Sequence, residues 1–204
     1  MCIIAVVPQG RPITDETLRA CWDSNDDGAG FAYVNSSNGR VTVRKGFMKF
    51  DEFLSVFRKK FEENNDKSPF VIHFRIRTHG ACDAERTHPF YVGTNKDPNR
   101  PCVAHNGVLG CVPYDKEKSD TQLFLEKYPK FFESSDKLKE IKEELGKAIG
   151  WNKFAVLFPN KEVVIVNDQM GDTNEDGVWF SNRNYLYRTY SRYTTTTTTN
   201  RSRH

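Results

Sequence analysis

The sequence predicts an α+β protein in which two mixed or antiparallel sheets pack face to face and helices cover both outer sides. Three observations predict it. Apolar strand-like runs come as hairpins: 31–35 with 41–44 around Asn38-Gly39, and 154–166 around Pro159-Asn160. Asn-Gly between such runs is a tight antiparallel turn signal. Helical stripes come in two pairs, one before residue 65 and one after residue 118, so each sheet can receive its own helical cover. The 15 Phe, 8 Tyr and 3 Trp supply bulky apolar surface suited to a core between packed layers.

Taken in order, residues 2–7 read as a buried strand ended by Pro8 and Gly10. Thr14 to Trp22 reads as a short helix with Thr14 as N-cap and Leu18, Cys21 and Trp22 on one face. Gly28 and Gly30 lead into the next strand, where glycine marks close backbone approach. A helix opens at Asp51, with Phe53, Leu54, Phe57 and Phe61 inward. Pro69 precedes a strand, PFVIHFRIR, whose alternation puts His73, Arg75 and Arg77 on one face. Residues 78–101 read as a long loop, a class often functional. A short strand, 102–105, runs into the Asn106-Gly107 turn. Residues 119–132 read as helical, and 135–149 as the clearest helix, with the stripe Leu138, Ile141, Leu145 and Ile149 and a Gly150 stop. GVWF and YLY read as final short strands.

Composition narrows the function classes. A length of 204 residues suits one domain with a proper core. A net charge of +3 is too small to imply nucleic-acid binding by the whole domain, so nucleic acid is expected at most on the basic tail. Five cysteines without a CxxC pair read as a reduced, cytoplasmic protein rather than a disulfide scaffold. No apolar run approaches the ~20 residues that span a bilayer, so no membrane partner is expected. The histidines show no HxH or HxxxH pair, so neither a metal nor another cofactor is expected. Residues 191–204, with six consecutive Thr and Arg192, Arg201 and Arg203, read as a solvated low-complexity tail after a single domain at 1–190.

Cys2 is the first chemical suspect. Removal of Met1 would put a thiol and a free α-amine on one residue, a nucleophile with its own base. The bland reading is the first residue of a buried strand. Four polar clusters follow: HFRIRTHG (73–80), THPF (87–90), AHNG (104–107) and SDT (119–121). Each has an ordinary reading as a structural histidine, a snorkelling arginine, a turn or an N-cap. Together they read as a glutamine site. Arg75 can clamp an α-carboxylate through its planar fork, with Thr78 and His79 as further donors beside it. Asp120 can hold an α-ammonium. The Asn106 amide and Gly107 N–H can stabilise an oxyanion, each such donor contributing about 3–4 kcal/mol.

Cys2 before an apolar strand, then DGAGFA, HFRIRTHG, THPF, AHNG and SDT, resembles the class II glutamine amidotransferase domain of the N-terminal nucleophile (Ntn) hydrolases. The resemblance runs from Cys2 to about Tyr187. It implies a four-layer αββα sandwich of two mostly antiparallel sheets. It also implies that Cys2 attacks the glutamine amide to form a γ-glutamyl thioester, with Asn106 and Gly107 as oxyanion hole. Arg75 would be the carboxylate clamp, Thr78 and His79 the adjoining loop, and Asp120 the ammonium acid. His88 and His105 would be supporting residues.

The chain departs from the family at Ser24-Asn25, where many members carry Arg-Gly, and at Ile76, where sugar-phosphate synthases carry a tunnel-gating Trp. The segment after Tyr187 is too short for an acceptor domain. The resemblance therefore implies ammonia delivery to a separate synthetase chain, ammonia release, or a different γ-glutamyl amide as substrate. A catalytically silent glutamine-binding or assembly module on the same scaffold is the alternative.

Overall fold

The computed structural model describes residues 1–76, 84–94 and 96–186. Among the described residues ten strands form two sheets, and every strand pairing in them is antiparallel. The first sheet holds β1 (Ile3–Val7), β2 (Ala29–Val34), β3 (Val41–Phe47), β4 (Phe70–Phe74), β9 (Asp172–Thr173) and β10 (Trp179–Phe180), in the order β3-β2-β4-β1-β10-β9. The second holds β5 (Phe90–Tyr91), β6 (Cys102–Asn106), β7 (Lys153–Leu157) and β8 (Val163–Val166), in that order.

The helices divide between the outer faces. Both α1 (Asp15–Ser24) and α2 (Phe50–Asn64) pack on the first sheet, where Leu18, Phe53 and Phe57 join Ile3, Phe31 and Phe74 in one buried cluster. On the second sheet, α3 (Asp120–Lys127) and α4 (Ser135–Ile149) bring Phe124, Leu138 and Leu145 against Phe154 and Val156. Between the sheets lies a third cluster of smaller residues, including Ile4, Ala32, Val71, Ala104 and Ala155. The layers are therefore helix, sheet, sheet, helix, the αββα sandwich the sequence leads one to expect.

Local chemistry accounts for these elements. Thr14 caps α1 by accepting from Thr17 N. Ser119 and Gln122 form a reciprocal capping box at α3, which satisfies two donors that a helix start otherwise leaves bare. The four-residue spacing of Phe53, Phe57 and Phe61 keeps them on one face. Phe57 meets Phe31 edge-on at 5.3 Å between ring centroids. Burying each such ring stabilises by about 1.5–3 kcal/mol.

The period-two alternation of the strands sets up the site. In β1, Ile3, Ala5 and Val7 face the helices, while Ile4 and Val6 face the other sheet. In β6, Val103 faces the helices, while Cys102 and Ala104 face inward. The same alternation carries Cys2, one residue before β1, and Asn106, the last residue of β6, into the inter-sheet space at one end of the sandwich.

Several expectations need correction. YLY is not a strand: residues 184–186 are helical, and Tyr187 lies outside the described residues. The strand over PFVIHFRIR ends at Phe74, although the Arg75 N–H still donates to Gly28 O over 2.8 Å. The 119–132 helix is interrupted: α3 stops at Lys127, and Pro129–Phe132 form a separate 3-10 turn. The 78–101 loop holds a 3-10 turn, Ala84–Arg86, and β5. Arg77, Thr78, His79 and the 191–204 tail, with its boundary at 190, fall outside the described residues. Among the described residues no helix is long and apolar enough to cross a membrane.

Candidate active site

Continuing the β1–β4 register, in which Ile3 pairs with Phe74, sets Cys2 across from Arg75. The Cys2 thiol is half-buried, and its Sγ lies 3.7 Å from Ile76 O as a donor. Two asparagines fix the backbone around it. Asn25, with only 1% of its surface exposed, donates to Met1 O over 2.9 Å, and Asn182 donates to Cys2 O over 2.8 Å. The carbonyl that Asn25 holds is bonded to the Cys2 nitrogen, so this amide stands beside the atom that loss of Met1 would turn into an amine. Burial pushes the Cys2 thiol above its ordinary value, while the amino terminus and Arg75 pull the other way.

A cavity of 340 Å³ opens at this end of the sandwich, with Cys2, Arg75, Ile76, Gly107 and Asp120 in its walls. Small-molecule sites occupy about 300–1,000 Å³. Asp120 is held rigidly: Leu109 N donates to Oδ2 over 2.7 Å and Thr121 N to Oδ1 over 2.8 Å. Arg75 is buried, and Asp27 N donates to its carbonyl. Gly107 has φ +142°, and a Cβ there would meet Asn152 Oδ1 at 2.1 Å. Only glycine fits both the backbone angle and the space. Gly30 is required by space alone, because its Cβ would lie 2.2 Å from His88 O.

His88 and His105 belong to a buried polar chain whose proton positions can be derived. Asn152 Nδ2 donates to Ile149 O, so Asn152 Oδ1 faces His105 Nε2 at 2.8 Å and must accept from it. Neutral His105 then has a bare Nδ1, which accepts the Thr121 hydroxyl proton over 2.8 Å, the shorter of that hydroxyl's two acceptor contacts, Asp120 Oδ1 standing at 3.3 Å. With its proton committed, Thr121 Oγ1 accepts from His88 Nε2 over 3.1 Å. His73 Nε2 donates to His105 O over 3.0 Å. All three rings are therefore the neutral Nε2–H tautomer. Burial enforces neutrality: it drives His73 down to about 3 and His88 well below its ordinary value, and lowers His105. Among the described residues no three His, Cys, Asp or Glu side chains converge as metal ligands do.

The structure thus brings Cys2, Arg75, Gly107 and Asp120 to one cavity, with His88 and His105 in its wall. Asn106 is fully buried, and the nitrogen end of its amide lies 2.9 Å from Ser181 Oγ. Sequence reasoning missed Thr121, Asn152, Ser181, Asn25 and Asn182 as parts of this assembly. Only Thr121 lay inside a cluster it had singled out, SDT.

Among solved structures, the chain superposes on the glutamine phosphoribosylpyrophosphate (PRPP) amidotransferase from B. subtilis complexed with ADP and GMP, with a TM-score of 0.54. The match covers 88% of this chain and 41% of that one, at 17% sequence identity. This chain therefore spans less than half of that protein's length. No family model and no curated protein matches the chain. At that identity the likeness is one of fold alone.

Proposed function

We propose that the protein hydrolyses the side-chain amide of glutamine, or of a related γ-glutamyl compound, through a thioester on Cys2. The observation that carries the reading is the lining of one cavity by Cys2, Arg75, Gly107 and Asp120. The cavity unites a thiol, a cation for an α-carboxylate, an anion for an α-ammonium and a glycine N–H for an oxyanion. In this reading, loss of Met1 frees the α-amine, which takes the thiol proton. The thiolate attacks the amide carbon, and the C–O π electrons move onto oxygen, where Asn106 and Gly107 donate to it. The C–N bond then breaks, and ammonia leaves with the proton that the α-amine held. Water hydrolyses the thioester to the free γ-carboxylate and regenerates the thiol. The nitrogen goes to solvent or to a separate acceptor chain, and residues 1–190 form the domain that does this.

Ammonia release from a panel of glutamine and γ-glutamyl amides tests the reading. Cys2→Ala should lower it by orders of magnitude, because the covalent route is lost. An active preparation whose intact mass retains Met1 would sink the proposal, as would equal labelling of wild type and Cys2→Ala by a glutamine-analogue electrophile. One observation favours a silent binding module instead: burial raises the Cys2 thiol, and a protonated thiol is a poor nucleophile. Calorimetric binding of glutamine by Met1-free protein without ammonia release would decide for that module.

A further inference from the structure

We propose that Ser181 is a positioning residue that turns the Asn106 amide so that its NH2 end, not its oxygen, faces the Cys2 side of the inter-sheet space. The inference rests on the reading of Asn106 as an oxyanion donor and explains how it is made one.

Ser181 follows β10 directly and is fully buried. It is tied to β1 at both ends, since its own N–H donates to Ile4 O over 2.9 Å and Ile4 N donates to Ser181 Oγ over 2.9 Å. Ile4 is two residues from Cys2, so Ser181 is part of the frame that holds the thiol. The same Oγ lies 2.9 Å from the nitrogen end of the Asn106 amide. In that orientation Oγ receives two N–H groups. Its own proton then has no acceptor among the described residues, and Asn106 Oδ1 is buried without a partner. Two polar groups are orphaned, and buried polar groups are ordinarily satisfied.

A half-turn of the amide exchanges oxygen and nitrogen at nearly unchanged positions. Ser181 Oγ keeps the Ile4 N–H and donates its proton to Asn106 Oδ1. One orphan remains in place of two, and it is the NH2 group. Oγ can accept from Ile4 N and from an amide N–H at once, so it is satisfaction that selects the turned form: only there do the hydroxyl proton and Asn106 Oδ1 find each other. The amide nitrogen is left aimed at the space that alternation gives to Asn106 and Cys2. A donor without a partner at rest is what a transient oxyanion requires.

The test uses the Met1-free full chain. Ser181→Ala frees the amide to rotate, so kcat for the γ-glutamyl amide should fall about 10- to 100-fold with KM unchanged. Ser181→Thr, which keeps the hydroxyl, should restore most of it. Alkylation of Cys2 by iodoacetamide, a displacement with no oxyanion, should proceed at the wild-type rate in Ser181→Ala. A fall in alkylation as large as the fall in kcat would mean general damage and overturn the proposal, as would an unchanged kcat. A second measurement needs no turnover. In labelled wild-type protein, the Asn106 NH2 protons should show nuclear Overhauser contacts to the Cys2 Hβ protons. Contacts to Ile4 HN and Ser181 Hβ instead would refute the orientation. If wild type releases no ammonia, the glutaminase reading fails, while these contacts still decide the orientation.

Discussion

Thr121→Val isolates the buried polar chain, because valine keeps the volume of threonine and removes only the hydroxyl. That hydroxyl accepts from His88 Nε2 and donates to His105 Nδ1. Its loss strands a donor and an acceptor, and Thr121 is fully buried, so water does not replace it. Each stranded group costs about 1–3 kcal/mol, giving about 2–6 kcal/mol for the pair. For a domain of this length that is a fall in Tm of about 8–16 °C at the middle of the range. Thr121→Ser is the control. It keeps both hydrogen bonds and loses one methyl group, for about 1 kcal/mol. Thermal unfolding followed by circular dichroism measures both. Long-range proton–nitrogen spectra of the imidazoles should show His73, His88 and His105 as Nε2–H tautomers in wild type. A Thr121→Val protein no less stable than Thr121→Ser, or an Nδ1–H signal from His105, would refute the derivation of the proton positions.

Three further outcomes follow. Acid should destabilise the fold before its carboxylates titrate. The folded-state values of His73 and His88 lie below the ordinary 6.5, so below that pH the unfolded chain binds protons that the folded one refuses. Stability is full above pH 6.5 and falls towards lower pH by about 1.4 kcal/mol per unit for each histidine. Denaturant unfolding between pH 7 and 5 checks this, and a flat profile would contradict it. Gly107→Ala should cost about 3 kcal/mol or more, from a strained φ and from displacing Asn152 Oδ1 off His105. A stable Gly107→Ala protein with His105 still in its Nε2–H form would contradict that account. Truncation after Tyr187 should leave ammonia release unchanged, and loss of activity would assign the tail a part in the reaction.

The helices were legible because their information is local. Thr14, Ser119 and Gly150 sit where a cap must sit, and the apolar stripes recur every three or four residues in between. The long strands were legible from their length and their turns. The two-residue strands β5 and β9 exist only through their partners and leave no pattern of their own. YLY failed for the same reason, since three residues cannot distinguish a period of two from one of 3.6. At the candidate site, the convergence of Cys2, Arg75, Gly107 and Asp120 on one cavity was legible because their chemistry is rare in combination. Asn152 and Ser181 were not. Each is an ordinary polar residue near the end of an element, and each gains meaning from a partner 47 or 75 positions away along the chain.

Cys2 hangs from one sheet and Asn106 from the other, and among the described residues no backbone ladder joins the two. The gap between candidate nucleophile and candidate oxyanion donor is thus gauged by the apolar filling between the sheets together with the hydrogen bonds that cross it, His73 to His105 O and Ser181 to the Asn106 amide, as a feeler strip sets the jaws of a caliper. That filling is thin where Ala32, Ala104 and Ala155 stand. A single added methyl there would widen the jaws without touching either tip. Residues that look like plain core packing are, in this architecture, part of the ruler that spaces Cys2 from Asn106.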